Sequence, residues 1–209
     1  FFIHWNNLNI EAKLDALRAN PLAPISVGAN HQEALSKYNT AGKMRTAAVM
    51  VPIIKNNYRY ELLLTKRAQH LKDHAGEICF PGGSMEQTDG DHLEAALRET
   101  REEVGINSTE IEIIGTLPSI PTLTGFMIHP VIGLVDKAIN IVIAPSEVES
   151  YLTVPFLYFL NDDNKHESMH SFKNTEITMI EYHYNGARIW GATAMIISSL
   201  CKKIKEESM

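Results

Sequence analysis

Arg98, Glu99, Glu102 and Glu103, followed by Gly105, are the residues whose types and spacing most clearly specify chemistry. At about 100° of rotation per helical residue, Glu99, Glu102 and Glu103 fall within an arc of about 100°, while Leu93, Ala96, Leu97, Thr100 and Val104 fill the adjoining sector. Asp91 with Glu94 three positions on is a helix-start pattern and Gly105 a natural stop, so the spacing predicts a helix over Asp91 to Val104. One sector packs and its neighbour presents three acids. At ~4 Å and an effective dielectric of ~20, each like-charged pair repels by roughly 4 kcal/mol. Arg98 can pair with Glu102 at i,i+4, but one arginine cannot neutralise three converging carboxylates. A divalent cation can, and all-oxygen ligation selects a hard ion, Mg²⁺ or Mn²⁺, over zinc. An acidic helix is more often only a solvated face. Against that, these five fixed letters arise by chance about once per million start positions.

The elements that must hold this helix are read from hydrophobic period. Residues 8 to 19 place Leu8, Ile10, Leu14 and Leu17 at helical spacing, and Asn20-Pro21 ends that helix. A polar stretch from Ala29 to Lys43 reads as a connecting arm. Ala47 to Ile54 and Tyr60 to Leu64 form two apolar runs around Asn56-Asn57, the pattern of a hairpin of buried strands. Further strands are expected at Ile111 to Leu117, Pro130 to Val135, Val154 to Leu160 and Ile177 to Tyr184. A closing helix is expected from Ile189 to Ile204, with Ala194, Ile197, Leu200 and Cys201 on its packing stripe. The organisation is an N-terminal helix and arm, 1–44, followed by one α/β domain, 45–209.

The stretch GGSMEQTDGDHLEAALRETREEVGI resembles the Nudix box: a glycine, five residues, Glu, seven residues, then Arg-Glu-x-x-Glu-Glu-x-Gly and an apolar residue. The second half matches fully. In the first half, counting eight back from Arg98 reaches Gly90 instead of Glu, and the span from Gly83 is one residue longer than usual. The coenzyme A pyrophosphatase branch has that longer spacing. The upstream LLTKRAQHLKDHAGEICFPGG is similar to its second signature in Leu63, Leu64, Thr65, Arg67, Ala68, Gly76, Phe80, Pro81, Gly82 and Gly83. Lys72 replaces an arginine usual in that pattern, Glu86 stands where Asp is commoner, and Asp89 keeps the second acid. IWGATA, Ile189 to Ala194, also looks like this branch, so the resemblance runs from about 45 to 195.

The resemblance implies a Nudix-type α/β/α sandwich with a central mixed β-sheet and a loop-helix-loop catalytic motif. It implies Mg²⁺ or Mn²⁺ at Glu99, Glu102 and Glu103, with Arg98 bracing the carboxylates and Glu147, in APSEVES, as the loop acid chosen for general base. Gly82 and Gly83 would let the backbone approach a phosphate or metal closely. The substrate implied is coenzyme A or a derivative, cleaved to 3′,5′-ADP and 4′-phosphopantetheine, with Lys66, Arg67, Lys72 and His74 as the cations expected to meet its phosphates. The competing substrate is another nucleoside diphosphate derivative such as ADP-ribose. A Nudix-fold binding module without turnover is a further alternative, disfavoured because such a module has little reason to keep three mutually repelling acids.

Bulk properties narrow the partners. A formal net charge of -6 over 209 residues argues against nucleic-acid polymers as ligands, and no apolar run suggests a membrane span. Cys79 and Cys201 sit in no Cys-x-x-Cys pattern and read as buried thiols of a reducing compartment, and no signal-peptide pattern opens the chain, so a cytoplasmic protein is expected. The opening Phe1-Phe2 suggests that the true start is missing. Oligomeric state is not encoded legibly, which leaves a homodimer open. Walker, dinucleotide-binding, serine-hydrolase and His-Glu-x-x-His motifs are absent.

Overall fold

The computed structural model describes residues 10–19, 29–38, 44–57 and 59–206. Its centre is a mixed sheet built on strand β1 (Arg45–Asn56). On one edge β1 runs parallel to β7 (Phe126–Asp136), which pairs antiparallel with β5 (Ile111–Thr116) and with the short β6 (Ile120–Pro121). On the other edge β1 turns through Asn57, at φ 53°, into antiparallel β2 (Arg59–Arg67), the expected hairpin.

That second edge forks. Only Ile53 to Asn56 pair with β2; lower down, Ala47 to Val49 pair with β4 (Gly82–Ser84), while the far end of β2 pairs with β3 (Ile78–Cys79). The segment from Ile78 to Ser84 is thus wedged between the two strands, and Met50 N–H donates to Pro81 O at 2.9 Å. Pro52 stands at the fork. Residues two apart in a strand aim their N–H groups at the same edge, so the donor Pro52 lacks is missing where neither neighbour continues. The outer edge of β2 pairs with β8 (Val148–Pro155), with a bulge between Lys66 and Arg67.

Alternation along β1 divides the core. Ala48, Met50 and Ile54 face helix α3 (His92–Val104) through its Ala95, Ala96 and Val104. Val51 and Ile53 face the opposite layer, where α1 (Ile10–Ala19), α4 (Phe156–Leu160) and α5 (Gly191–Glu206) bury Leu14, Phe159, Leu200 and Ile204. The result is the expected α/β/α sandwich. Lys13 of α1, itself buried, donates to Ile204 O of α5 at 2.9 Å, tying α1 to the end of the closing helix. A second, three-stranded antiparallel sheet is made by β9 (His166–Phe172), β10 (Thr175–Tyr184) and β11 (Ala187–Trp190).

Three expectations change. Part of the arm after Ala29 is helix α2 (Ala29–Tyr38), which buries Ala34 completely and packs against β10; a small buried residue in a polar segment leaves almost no periodic signal. The expected strand from Val154 to Leu160 stops at Pro155, and Phe156, Phe159 and Leu160 are buried at helical spacing in α4. The closing helix begins at Gly191, because Ile189 and Trp190 belong to β11 and Gly191 takes φ 63° at the junction. Leu8, the Asn20-Pro21 stop and the end of the arm, residues 39–43, lie outside the described residues.

Candidate active site

Helix α3 is closed at both ends by its own sequence. Asp91 is its N-cap, accepting from Glu94 N–H at 2.9 Å, and Glu94 Oε2 reaches back to Gly90 N–H at 2.8 Å. At the other end Gly105 adopts φ 74° and donates to Arg101 O at 3.0 Å. The apolar stripe seats the helix on the sheet and carries two acids inward with it. Glu99 is 9% exposed and Glu103 only 2%.

Gly82 and Gly83 make this burial feasible. A Cβ on Gly83 would lie 2.4 Å from Glu99 Oε1, and one on Gly82 would lie 2.5 Å from Ala48 O. Any larger residue would therefore push Glu99 out or part β4 from β1. The third acid arrives on the β7–β8 connection. Ala144 N–H donates to Glu103 O and Val142 N–H to Val104 O, both at 3.0 Å, so this loop is bonded directly to the carbonyls that end α3. Glu147 N–H donates to Ala144 O, and Glu147 O accepts from Ala68 N–H at 2.9 Å. Held from both sides, Glu147 joins Glu99 and Glu103 so that one carboxylate oxygen from each lies within 4.8 Å of the other two.

Glu102 is not part of this group. Its side chain is 45% exposed and accepts from Arg98 Nη1 at 3.1 Å. Arg98 also donates from Nη1 to Glu99 Oε1 at 2.8 Å, from Nη2 to Ser84 O at 3.2 Å, and bidentately from Nε and Nη2 to both oxygens of Asp89 at 2.9 Å. Asp89, whose side chain is 4% exposed, has its carboxyl pKa lowered, first by Arg98 and then by Glu86 N–H. In the sequence Asp89 stands out only as the second acid kept in the signature, with no role assigned by spacing. Counting forward from Gly83, five residues lead to Asp89; the extra residue therefore falls between Asp89 and Arg98, and the shorter acid reaches the arginine across it.

The electrostatics of the cluster fit a cation. Burial is the main reason the Glu103 pKa is raised to about 8, with Glu99 and Glu147 adding repulsion against a smaller opposing pull from Arg67; Glu99 is also raised, mainly by burial. Glu103 Oε2 is buried with no hydrogen-bond partner among the described residues. An orphaned acceptor among three convergent carboxylates is what a divalent ion with oxygen ligands would satisfy. Of the expected cations, Arg67 lies beside Glu103, Lys66 is paired with Glu149 at 2.6 Å, His74 with Glu77 at 3.0 Å, and Lys72 is exposed. Cys201 is buried and Cys79 half-buried, and both thiols are pushed up, to about 12 and about 11, by burial.

A family model described as NUDIX domain matches residues 44–189. The chain is 36% identical over 164 residues to a protein of Cronobacter sakazakii (strain ATCC BAA-894) described as uncharacterized Nudix hydrolase NudL, covering 78% of this chain and 84% of that one. It is 35% identical over 160 residues to the protein of the same description from Enterobacter sp. (strain 638), covering 77% and 83%. Among solved structures, the MutT protein from Methanosarcina mazei Go1 superposes with a TM-score of 0.51 at 16% identity, over 80% of this chain and 99% of that one, a likeness of fold.

Proposed function

Because the chain belongs to the Nudix hydrolase family, we propose that it hydrolyses the diphosphate bond of coenzyme A or its derivatives in the presence of Mg²⁺ or Mn²⁺, releasing 3′,5′-ADP and 4′-phosphopantetheine or its acyl form. The observation that carries the chemistry is the convergence of Glu99, Glu103 and Glu147 around an unpaired, buried carboxylate oxygen. The substrate rests on the segment from Leu63 to Gly83. Much of that segment is packing: Leu63, Leu64, Ala68 and Phe80 are core, and Thr65 Oγ1 bonds Cys79 O. Arg67, half-buried, and Lys72, exposed, form no ion pair among the described residues, and a phosphorylated nucleotide would be read there.

Glu99 and Glu103 would hold the ion, with Glu102 at the rim positioned to add a ligand by exchanging its bond with Arg98. A divalent cation there supplies charge neutralisation for the diphosphate and a more acidic attacking water. Glu147 accepts the proton of that water. Gly82 and Gly83 keep the backbone close to the reacting groups, and Arg98, clamped by Asp89, keeps Glu99 turned inward. The test is product analysis by mass spectrometry after incubation with coenzyme A, 3′-dephospho-coenzyme A and ADP-ribose with Mg²⁺ or Mn²⁺. Preferred cleavage of coenzyme A to 3′,5′-ADP is expected; preferred cleavage of ADP-ribose would replace the substrate and leave the metal chemistry standing.

A further inference from the structure

We propose that Lys66, Gln69 and His70 form a clasp outside the metal cluster that holds the segment from Ser146 to Glu149 and thereby aims the Glu147 carboxylate at the attacking water. Lys66 and Glu149 are then positioning residues, and Lys66 does not read substrate phosphates. The inference rests on Glu147 acting as the base of the proposed hydrolysis, and does not need coenzyme A to be the substrate.

Register along β2 sets where Glu147 falls. Lys66 lies opposite Ser150 and Arg67 opposite Val148, so Glu149 is the extra residue of the bulge. Its insertion lets Glu147 O accept from Ala68 N–H at 2.9 Å. In an unbulged ladder Glu149 would stand opposite Arg67 and Val148 opposite Ala68, which moves Glu147 one strand step further along. That step is about 3.3 Å, enough to take a carboxylate out of hydrogen-bond reach of a water held at Glu99 and Glu103.

A bulged residue has no place in the ladder, and here side chains hold it instead. Glu149 Oε1 accepts from Lys66 Nζ at 2.6 Å and Oε2 from Gln69 Nε2 at 3.0 Å, so both oxygens are engaged, by donors on either side of Arg67 in the chain. These bonds lower the Glu149 pKa, Lys66 first and Gln69 second. On the other side of Glu147, Ser146 O accepts from His70 Nε2 at 3.1 Å, and because a carbonyl only accepts, Nε2 carries the ring proton. Gly76 makes room for this arrangement. It takes φ 72° while donating to Arg67 O at 3.1 Å, and a Cβ there would lie 2.6 Å from Gln69 Nε2, displacing the amide that reaches Glu149.

The clasp acts by placement and not by its field. The charges that bear most on Glu99 and Glu103 are those of Arg98, Arg67, Glu102, Glu147 and one another; Lys66 and Glu149 are not among them. Lys66, expected from the sequence to meet a phosphate, is committed to a carboxylate on the neighbouring strand. Moving it onto substrate would free Glu149 and loosen the bulge that places Glu147.

The experiment measures kcat and KM with Mg²⁺ on the diphosphate that the protein cleaves best, Mn²⁺ affinity by electron paramagnetic resonance, and melting temperature. Glu149→Ala and Lys66→Met should each lower kcat by about 10-fold, the low end for loss of a support behind a working side chain, because the backbone bonds of Glu147 remain. KM and Mn²⁺ affinity should stay within about twofold of wild type. Exposed ion pairs add little to stability, so melting should shift by no more than about 2 °C. The charge swap, Lys66→Glu with Glu149→Lys, should recover most of the lost kcat. In a Glu147→Gln background Glu149→Ala should lower kcat by less than about twofold further, since the clasp works through Glu147. A full 10-fold loss there would overturn the proposal, as would a raised KM in Lys66→Met beside an unaffected Glu149→Ala, which would return Lys66 to substrate reading. Inactive Glu147→Gln with fully active Glu149→Ala would refute the clasp alone, whereas fully active Glu147→Gln would refute the reading of Glu147 as base and the clasp with it.

Discussion

Two glutamates in this molecule have been moved in opposite directions. Glu181, on the three-stranded sheet, is pulled down to about 2, first by His183 and further by Arg188 and Ser168. His183 Nε2 lies 3.0 Å from one of its oxygens and Arg188 Nη2 2.5 Å from the other. The network continues, with Arg188 donating to His170 Nε2 at 2.9 Å, His170 stacked on Trp190, and Ser168 Oγ 2.9 Å from the same nitrogen. Glu103 is pushed up to about 8 and keeps an unpaired buried oxygen. Both sit in dense polar surroundings, but one group of charges is complete in the protein alone and the other is incomplete. Completed networks hold strands together; incomplete ones store electrostatic cost that a ligand relieves. That contrast, more than acidity itself, separates the candidate active site from the second sheet.

The contrast is broken most directly at Glu103. Glu103→Gln keeps the shape and removes the charge, and kcat with Mg²⁺ should fall by about 10³-fold or more as an ion ligand is lost. The metal-free variant should nevertheless melt higher than wild type, by about 2–4 °C for each kcal/mol of relieved repulsion. Equal melting temperatures would mean that Glu103 carries no stored cost. The pH dependence carries the same sign. A carboxyl whose folded pKa lies above its unfolded value stabilises the fold fully below about 4.3, and that stability is lost as pH rises toward about 8. Metal-free wild type should therefore lose up to a few kcal/mol between pH 5 and 8. Added Mg²⁺ should restore most of it at pH 8 and little at pH 5, and Glu103→Gln should flatten the slope. An unchanged slope in that variant would assign the pH dependence elsewhere.

Asp89 offers a middle-sized effect, because it acts on the incomplete network through a complete one. Asp89→Asn should loosen the bidentate hold on Arg98, whose remaining bonds run to Glu99, Glu102 and Ser84, and so let Glu99 follow the arginine. A 10- to 100-fold weakening of Mn²⁺ binding, roughly what loss of a support behind a metal ligand costs, with a parallel fall in kcat, is the expected outcome. Rescue by Asp89→Glu would establish the carboxylate contact as the cause; Mn²⁺ affinity equal to wild type in Asp89→Asn would confine Asp89 to loop packing.

The acidic helix was legible because its information is local: an N-cap acid, a 3.6-residue stripe and a terminal glycine fix its limits, and spacing alone puts Glu99, Glu102 and Glu103 on one arc. Spacing could not say which of the three turns inward. That depends on Gly83 leaving room for Glu99 and on the β7–β8 loop bonding to the carbonyls of Glu103 and Val104, both contacts between residues far apart in sequence. For the same reason Glu147 could be named as a loop acid but not brought to Glu99 and Glu103 before the fold was known. The wedge of Ile78 to Ser84 into the fork of β1 and β2 was illegible in a different way. Its strands of two and three residues are too short for a period, and the pairing exists only where β1 and β2 separate beyond Ile53 and Leu62, at Pro52. Helix α4 and the start of α5 were misread where an apolar run changes from strand to helix without a polar break.

The smallest effect belongs to the completed network. Glu181→Gln removes the charge that His183 and Arg188 share, but these partners are 52% and 43% exposed, and solvent screens such pairs, so the loss at pH 7 should be at most about 1 kcal/mol with kcat unchanged. Its pH signature is the reverse of that at Glu103. A carboxyl with a depressed folded pKa contributes stability above its unfolded value, about 4.3, and loses it as pH falls toward about 2. The difference in stability between wild type and Glu181→Gln should therefore close on acidification, while that between wild type and Glu103→Gln closes as well but from the opposite sign, the variant being the more stable at neutral pH. Measured side by side by denaturant unfolding at pH 3 and pH 7 without metal, the two variants should bracket wild type at pH 7; at pH 3 Glu103→Gln should coincide with wild type and the gap to Glu181→Gln should have shrunk by about half. If both fell on the same side of wild type at pH 7, the division between a completed and an awaiting network would not hold.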